Sequence, residues 1–430
     1  MKINLLKDKN FSLLMFGKIT SLIGSYMQSF ALSLFVLNTT GSASKFASIL
    51  AVALIPELIL APFAGVIVDW FDRKKILIAL DLASGGVVTI FAIIYFVSGE
   101  MPLIYIYILV ITLSLISTID NPTLQTIIPT ITKKKDLVEA NALNSLLMSI
   151  GNVISPAIAA VVYGGFGLEA VFIVNSISFF ISAISEYFLV IPKNIKEKGQ
   201  LSLNSFIIEF KEGVGFIRKR KDIINIISLA MILNFAFGAF TIGSTYISKM
   251  ILKVSDFQYG IVDSIGVIGT IVSSFFVGWL SKKNSVGKNI YSSLMIASIV
   301  LAGYAVVAFD SLVSIENSKI YLYLYLLMVI LTFTVCLFIA LANTFLNINF
   351  QHIVPLDFMG RISTIMGTGC MIAMPLSNMI NGYLFDKISA SSIFLISSGI
   401  MILSIFSYKR KLITIEIEDE KSKLVDIEEI

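Results

Sequence analysis

Apolar residues in this chain do not alternate with polar ones at a helical or strand period. They run on for twenty positions or more, broken by short charged stretches. Runs of about 20 apolar residues match the hydrocarbon core of a bilayer when helical. Twelve such runs can be drawn, at about 11–37, 43–70, 76–98, 102–130, 138–163, 168–191, 223–250, 256–281, 288–310, 319–346, 360–385 and 390–408. The pattern predicts an all-α membrane protein with twelve transmembrane helices. The first run follows Lys2, Lys7 and Lys9 and is too long for a signal-peptide core, so it is expected to be retained.

Composition agrees with this reading: 57% of the residues are hydrophobic and 14% charged, where a soluble domain carries about 25% charged residues. The net charge of +4 matters less than its distribution. Of 32 Lys and Arg, 26 fall on the termini and alternate loops, five on the opposite loops, and Lys18 lies inside the first span. By the positive-inside rule both termini and the 193–221 loop are expected in the cytoplasm, in a multi-pass protein of the cytoplasmic membrane.

The chain also repeats. Gln125–Pro129 (QTIIP) returns as Gln351–Pro355 (QHIVP), Pro156 returns as Pro375, and Gly65 as Gly278, in one order and at nearly constant offset. A duplicated six-helix unit follows, with segments 1–192 and 222–411 as the two bundles. Between them, Phe206, Phe210, Val214 and Ile217 fall at helical spacing before Arg218–Lys221, which predicts an amphipathic surface helix in a 193–221 linker. The 412–430 tail is acidic and expected to be solvated and disordered. Trp70 and Trp279 sit where interfacial anchors belong.

Chemistry of several kinds is excluded. Cys336 and Cys370 lie within spans, and His352 is the single histidine, so neither a zinc site nor a Cys/His nucleophile can be assembled. No phosphate-binding glycine loop is present. No metal, cofactor, nucleic acid or enzymatic activity is expected. Ionisable residues inside a membrane are costly and usually functional. Glu57 lies roughly 18 Å from the inner end of its span, near the midplane, between Pro56 and Pro62, which could open the helix. It leads the candidates for proton coupling, with Asp120 and Asp263 behind it; those two could instead be paired, Asp120 with a Lys or Arg and Asp263 with Lys249 or Lys253. Asp81 and Glu186 are expected to pair with basic inner loops. Gln28, Asn144, Asn234, Asn343 and Asn378 either bond neighbouring helices or line a cavity rich in aromatic side chains, suited to an amphiphilic small molecule.

Two stretches carry a resemblance. Gly65–Lys75 reads GVIVDWFDRKK, and Gly65, Asp69, Arg73 and Lys74 fall on the G-x-x-x-D-[RK]-x-G-[RK]-[RK] pattern, with Trp70 for the first basic residue and Asp72 for the second glycine. Gly151 and Pro156 fall on a G-x-x-x-G-P-x-x-G-G pattern, with Ser155, Ala159 and Ala160 replacing glycines by other small residues. Both patterns resemble the major facilitator superfamily, the second its antiporters. With the ANAL stretch at Ala140–Leu143, the chain is most similar to the branch of macrolide-efflux and enterobactin-export proteins. The resemblance implies a monomeric secondary transporter working by alternating access, with Asp69 and Arg73 forming an inner gate against Gly360–Arg361. Proton-coupled export of a drug-like or siderophore-like compound is the expected activity. Inward transport of a lipid or nutrient, and a polytopic sensor that transports nothing, are the alternatives.

The orientation is open to a direct check. A Gln200→Cys variant is expected to resist a membrane-impermeant thiol reagent added to intact cells; labelling there inverts the topology.

Overall fold

The computed structural model describes residues 5, 7–133, 136–191, 215–218, 220–309, 312, 318–354 and 356–428, with the backbone alone for 61–62, 65–67, 69–70, 138, 222, 352, 356–361, 363–364, 368, 370–371 and 410–428. Twelve helices are found among them: α1 (Lys9–Thr40), α2 (Ala43–Trp70), α3 (Arg73–Ser98), α4 (Leu103–Ile131), α5 (137–166), α6 (168–187), α7 (Lys221–Tyr246), α8 (Asp256–Lys283), α9 (Val286–Val307), α10 (Ser318–Ile353), α11 (Leu356–Phe385) and α12 (Ala390–Glu428). Among the described residues, ten helical stretches are long and apolar enough to cross a membrane, one of them the joined α5 and α6.

The helices stop where the sequence allows the backbone to turn. Asp8 caps α1 by accepting from the amides of Asn10 and Phe11, both at 3.0 Å. Gly41 ends it at φ 61°, the left-handed conformation a residue without Cβ adopts at least cost. Gly167, at φ 78°, interrupts an otherwise continuous helical stretch and so separates α5 from α6. The end of α7 widens into a π-helical turn, Ile247–Ile251.

Two expectations change here. Pro56 and Pro62 do not open α2, whose helix runs through both to Trp70. The acidic tail is not irregular: α12 stays helical to Glu428. No Gly or Pro follows Gly399 to stop it, and Glu418 with Lys421 and Asp419 with Lys423 sit at the spacings of favourable helical pairs. The predicted linker helix lies largely outside the described residues.

The chain forms two compact units, Met1–Gly41 with Ser48–Phe206 and Ser255–Ser264, and Ser42–Ala47 with Ile207–Val254 and Ile265–Ile430. In lipid there is no hydrophobic drive between helices, so close packing and interhelical hydrogen bonds must hold them. In the first unit α1 lies directly on α6. A Cβ on Gly17 would stand 3.0 Å from Ser182 Oγ, and one on Gly24 only 2.2 Å from Ser178 Oγ and 2.4 Å from Asn175 Oδ1. Polar side chains stitch the same unit: Asn175 Nδ2 donates to Gln28 Oε1 at 2.7 Å, and Thr89 and Ser176 share a hydrogen bond at 2.5 Å. The second unit uses the same device, with Gly238 of α7 against Ser377 of α11 and Gly243 against Phe385 and Phe394.

A Gly24→Val substitution should therefore destabilise the first unit by about 1–3 kcal/mol, the usual cost of overpacking. Gly86, whose Cβ would meet nothing within 4 Å, should accept Ala with little change. Thermal unfolding of the two purified variants in detergent compares them.

Candidate functional site

Four ionisable side chains from four helices meet inside the first unit. Lys18 of α1 forms an ion pair with Asp120 of α4, both side chains nearly buried. Asp81 of α3 is 6% exposed and Glu186 of α6 is 2% exposed. The hydroxyl of Ser182 donates to Glu186 Oε1 at 3.5 Å. Asp81 Oδ2 and Glu186 Oε2 are buried without a hydrogen-bond partner in the structure.

The expectation that Asp81 and Glu186 pair with basic inner loops is therefore corrected. The loop cations are spent elsewhere: Lys74 Nζ donates to the backbone carbonyls of Tyr187 and Leu189, each at 2.7 Å, and Arg73 Nη1 donates to Thr130 Oγ1 at 3.4 Å. Both acids turn inward because their helix faces are the ones that pack. Asp120, expected either as a proton site or as half of an ion pair, is found paired with Lys18.

Glu57 in α2 and Asp263 in α8 are half-buried and have no hydrogen bond or ion pair among the described residues. Lys249 Nζ donates to the carbonyl of Val254 at 3.0 Å. The structure does not bring Glu57, Asp120 and Asp263 together into one site. Among the described residues no group of acids, His and Cys is arranged to hold a metal.

Within the loop motif, Asp72 caps α3, accepting from the amides of Lys74 at 3.0 Å and Lys75 at 3.2 Å. That role accounts for an acid where the family pattern has glycine. The side chains of Asp69 and Arg361, and Gly65, lie outside what the structure describes.

The α5 motif forms a seam of small residues. A Cβ on Gly151 would overlap Leu22 of α1, at 2.1 Å. Ser155, fully buried, returns its hydroxyl to the carbonyl of Gly151 at 2.6 Å. Ala159 and Ala160 are buried, and the first turns of α8 rest on this seam: a Cβ on Gly260 would lie 2.6 Å from Ala160 Cβ and 3.0 Å from the Pro156 carbonyl. Ser264 Oγ donates to the carbonyl of Val153 at 3.2 Å.

The neutral polar candidates divide. Gln28 is buried in its bond with Asn175, and Asn234 bonds back to the carbonyl of Ala230 at 2.8 Å. Asn378 is buried, and Asn343 is exposed. Asn144 lines a small cleft with Lys18, Ile19, Leu22 and Leu147. Part of the aromatic content goes to packing: Tyr304 stacks on Phe394 at 5.0 Å between ring centroids.

One residue was missed altogether. Asp386, just beyond α11, caps the start of α2 within the second unit. Its carboxylate accepts from the Ala43 amide at 2.7 Å, the Ser44 amide at 3.0 Å, and the hydroxyls of Ser42 at 2.8 Å and Ser44 at 2.5 Å. Partial burial alone would raise its pKa, but these four bonds outweigh that and hold it below the usual carboxylate value. A depressed pKa means the cap is fully formed above the ordinary range and fails only as pH falls through the lower value. An Asp followed by turn residues is too common a pattern to have marked it.

Comparison with known proteins locates this architecture. The family model described as Major Facilitator Superfamily matches residues 14–378. Macrolide efflux protein A of Streptococcus pyogenes is 24% identical over 393 residues, covering 90% of this chain and 92% of that protein. The putative bacilysin exporter BacE of Bacillus subtilis (strain 168) is 26% identical over 281 residues, 63% of each chain. Among solved structures, that of the nucleoside transporter NupG superposes with a TM-score of 0.70 at 14% identity, covering 94% of this chain and 100% of that one.

Removing Lys18 alone should strand the Asp120 charge. Lys18→Met is expected to cost about 3 kcal/mol or more, whereas Lys18→Met with Asp120→Leu should regain most of it. Detergent unfolding of the single and double variants measures the difference.

Proposed function

The chain belongs to the Major Facilitator Superfamily, and from that membership we propose that this membrane transporter is a secondary exporter of amphiphilic small molecules, driven by exchange for protons. The observation that carries the reading is the likeness to a macrolide efflux protein along nine-tenths of the chain. The basic loops orient it with both ends in the cytoplasm, the direction from which an exporter loads.

Glu57 is the acid we assign to the exchange. Twelve residues before Asp69 on α2, which we read as mid-depth in the span, it is half-buried and bound to no cation among the described residues. In this exchange it binds a proton from the outer side and releases it on the inner side, where the proton concentration is lower. A cationic, apolar substrate competes for the same carboxylate, so charge alone couples the two.

In inverted vesicles under an imposed pH gradient, a labelled macrolide should accumulate against its concentration. Glu57→Gln is expected to abolish that uphill movement while leaving counterflow exchange of the macrolide intact. Loss of both, or survival of both, removes Glu57 from the exchange.

A further inference from the structure

Asp81 and Glu186 take no part in the exchange just assigned to Glu57, yet both are deeply buried in the first unit. Each is more than nine-tenths buried, and each leaves one carboxylate oxygen, Asp81 Oδ2 and Glu186 Oε2, without a partner. Across the α3–α6 packing, where Ser176 donates to the Gly85 carbonyl and Gly85 lies against Phe179 and Phe180, the Asp81 carboxyl meets that of Glu186. Two ionised carboxylates have only acceptor atoms and cannot hydrogen-bond to each other; one proton between them makes that contact a bond.

The surroundings bear on the same point from every helix packed there. From α1 comes Lys18, whose ammonium is committed to Asp120 of α4. Asp120 adds a third negative charge within electrostatic range of both acids. From α6 comes Ser182, whose hydroxyl already serves Glu186. At the start of α3, Lys74 is turned to the carbonyls of Tyr187 and Leu189 rather than to either acid. With all three acids ionised, one ammonium would face three carboxylates in a site with little water. A buried carboxylate without a partner is among the most expensive groups a protein can hold.

We propose that Asp81 and Glu186 form a proton-binding site, one proton shared between the two carboxyls, built into the helix scaffold apart from Glu57. Binding converts a carboxylate pair to a carboxylate and a carboxylic acid, supplies the missing donor, and lowers the negative charge of the cluster by one. Release needs no group transfer, only a path for the proton and a change in the distance to Lys18. In the exchange, whose existence this use of the site presupposes, the pair carries a second proton that the substrate never displaces.

Infrared difference spectroscopy of the purified protein in liposomes, titrated with pH and repeated in heavy water, reads the site without any substrate. The wild type should show a protonated-carboxyl band at neutral pH that disappears on alkalinisation. Asp81→Asn with Glu186→Gln should remove it. Each single variant should move its midpoint down by about one pH unit or more, because the remaining acid no longer ionises beside a like charge. An Asp81→Glu variant, which keeps both carboxyls, should retain the band and shows that loss elsewhere is not misfolding. A wild type with no such band, or single variants that titrate like the wild type, overturns the shared proton. Transport then tests its use. At a gradient of about one pH unit, macrolide accumulation by the double variant should fall about tenfold, the factor that one proton fewer per cycle removes. Unchanged accumulation excludes the pair from the cycle. A wild type whose accumulation ignores the pH gradient sinks the exchange reading instead, while the infrared result still decides the site.

Discussion

Lys18 meets an acid inside the first unit because the residue before it has no side chain. Gly17 lets α1 settle against Ser182 of α6, and Gly24, further along the same face, lets it settle against Ser178 and Asn175. That approach fixes the height and rotation of α1, and with them the position of the ammonium. Ser182, the residue that Gly17 touches, is also the one that donates to Glu186. One steric allowance thus sets both the packing of the helices and the arrangement of four charges among them. Lipid offers no alternative partner to any of these groups, so the geometry has to be right at each of them.

The outline of the fold was legible because it depends on length and polarity alone. Twenty apolar residues in a row span a bilayer whatever their neighbours, and Gly167 stands in a gap that the runs already left between 163 and 168. Facing was not legible. A helix apolar on all sides carries no stripe to say which side is inward, so Asp81, near Arg73 in sequence, looked like a partner for the loop. Its helix turns it into the bundle instead, and Lys74 is left to the carbonyls at the end of α6. Asp72 read as a departure from a pattern, although an Asp just before a helix is a sound capping signal. Gln28 illustrates a choice the sequence left open, and its bond to Asn175 depends on a contact between residues far apart in the chain.

Asp386 has a different bearing. The turn it caps, Ser42 to Ala47, precedes most of the first unit in the chain yet is built into the second. In the same way Ser255–Ser264, at the head of α8, is built into the first. Cutting the chain in the 193–221 linker would give two fragments, each retaining a short piece whose contacts lie in the other. Expressed by itself, the N-terminal fragment would carry the bare amides of Ala43 and Ser44 at the membrane surface, and the C-terminal fragment an unsatisfied Asp386. Each half of the chain thus contributes a short piece to the compact unit built mainly from the other.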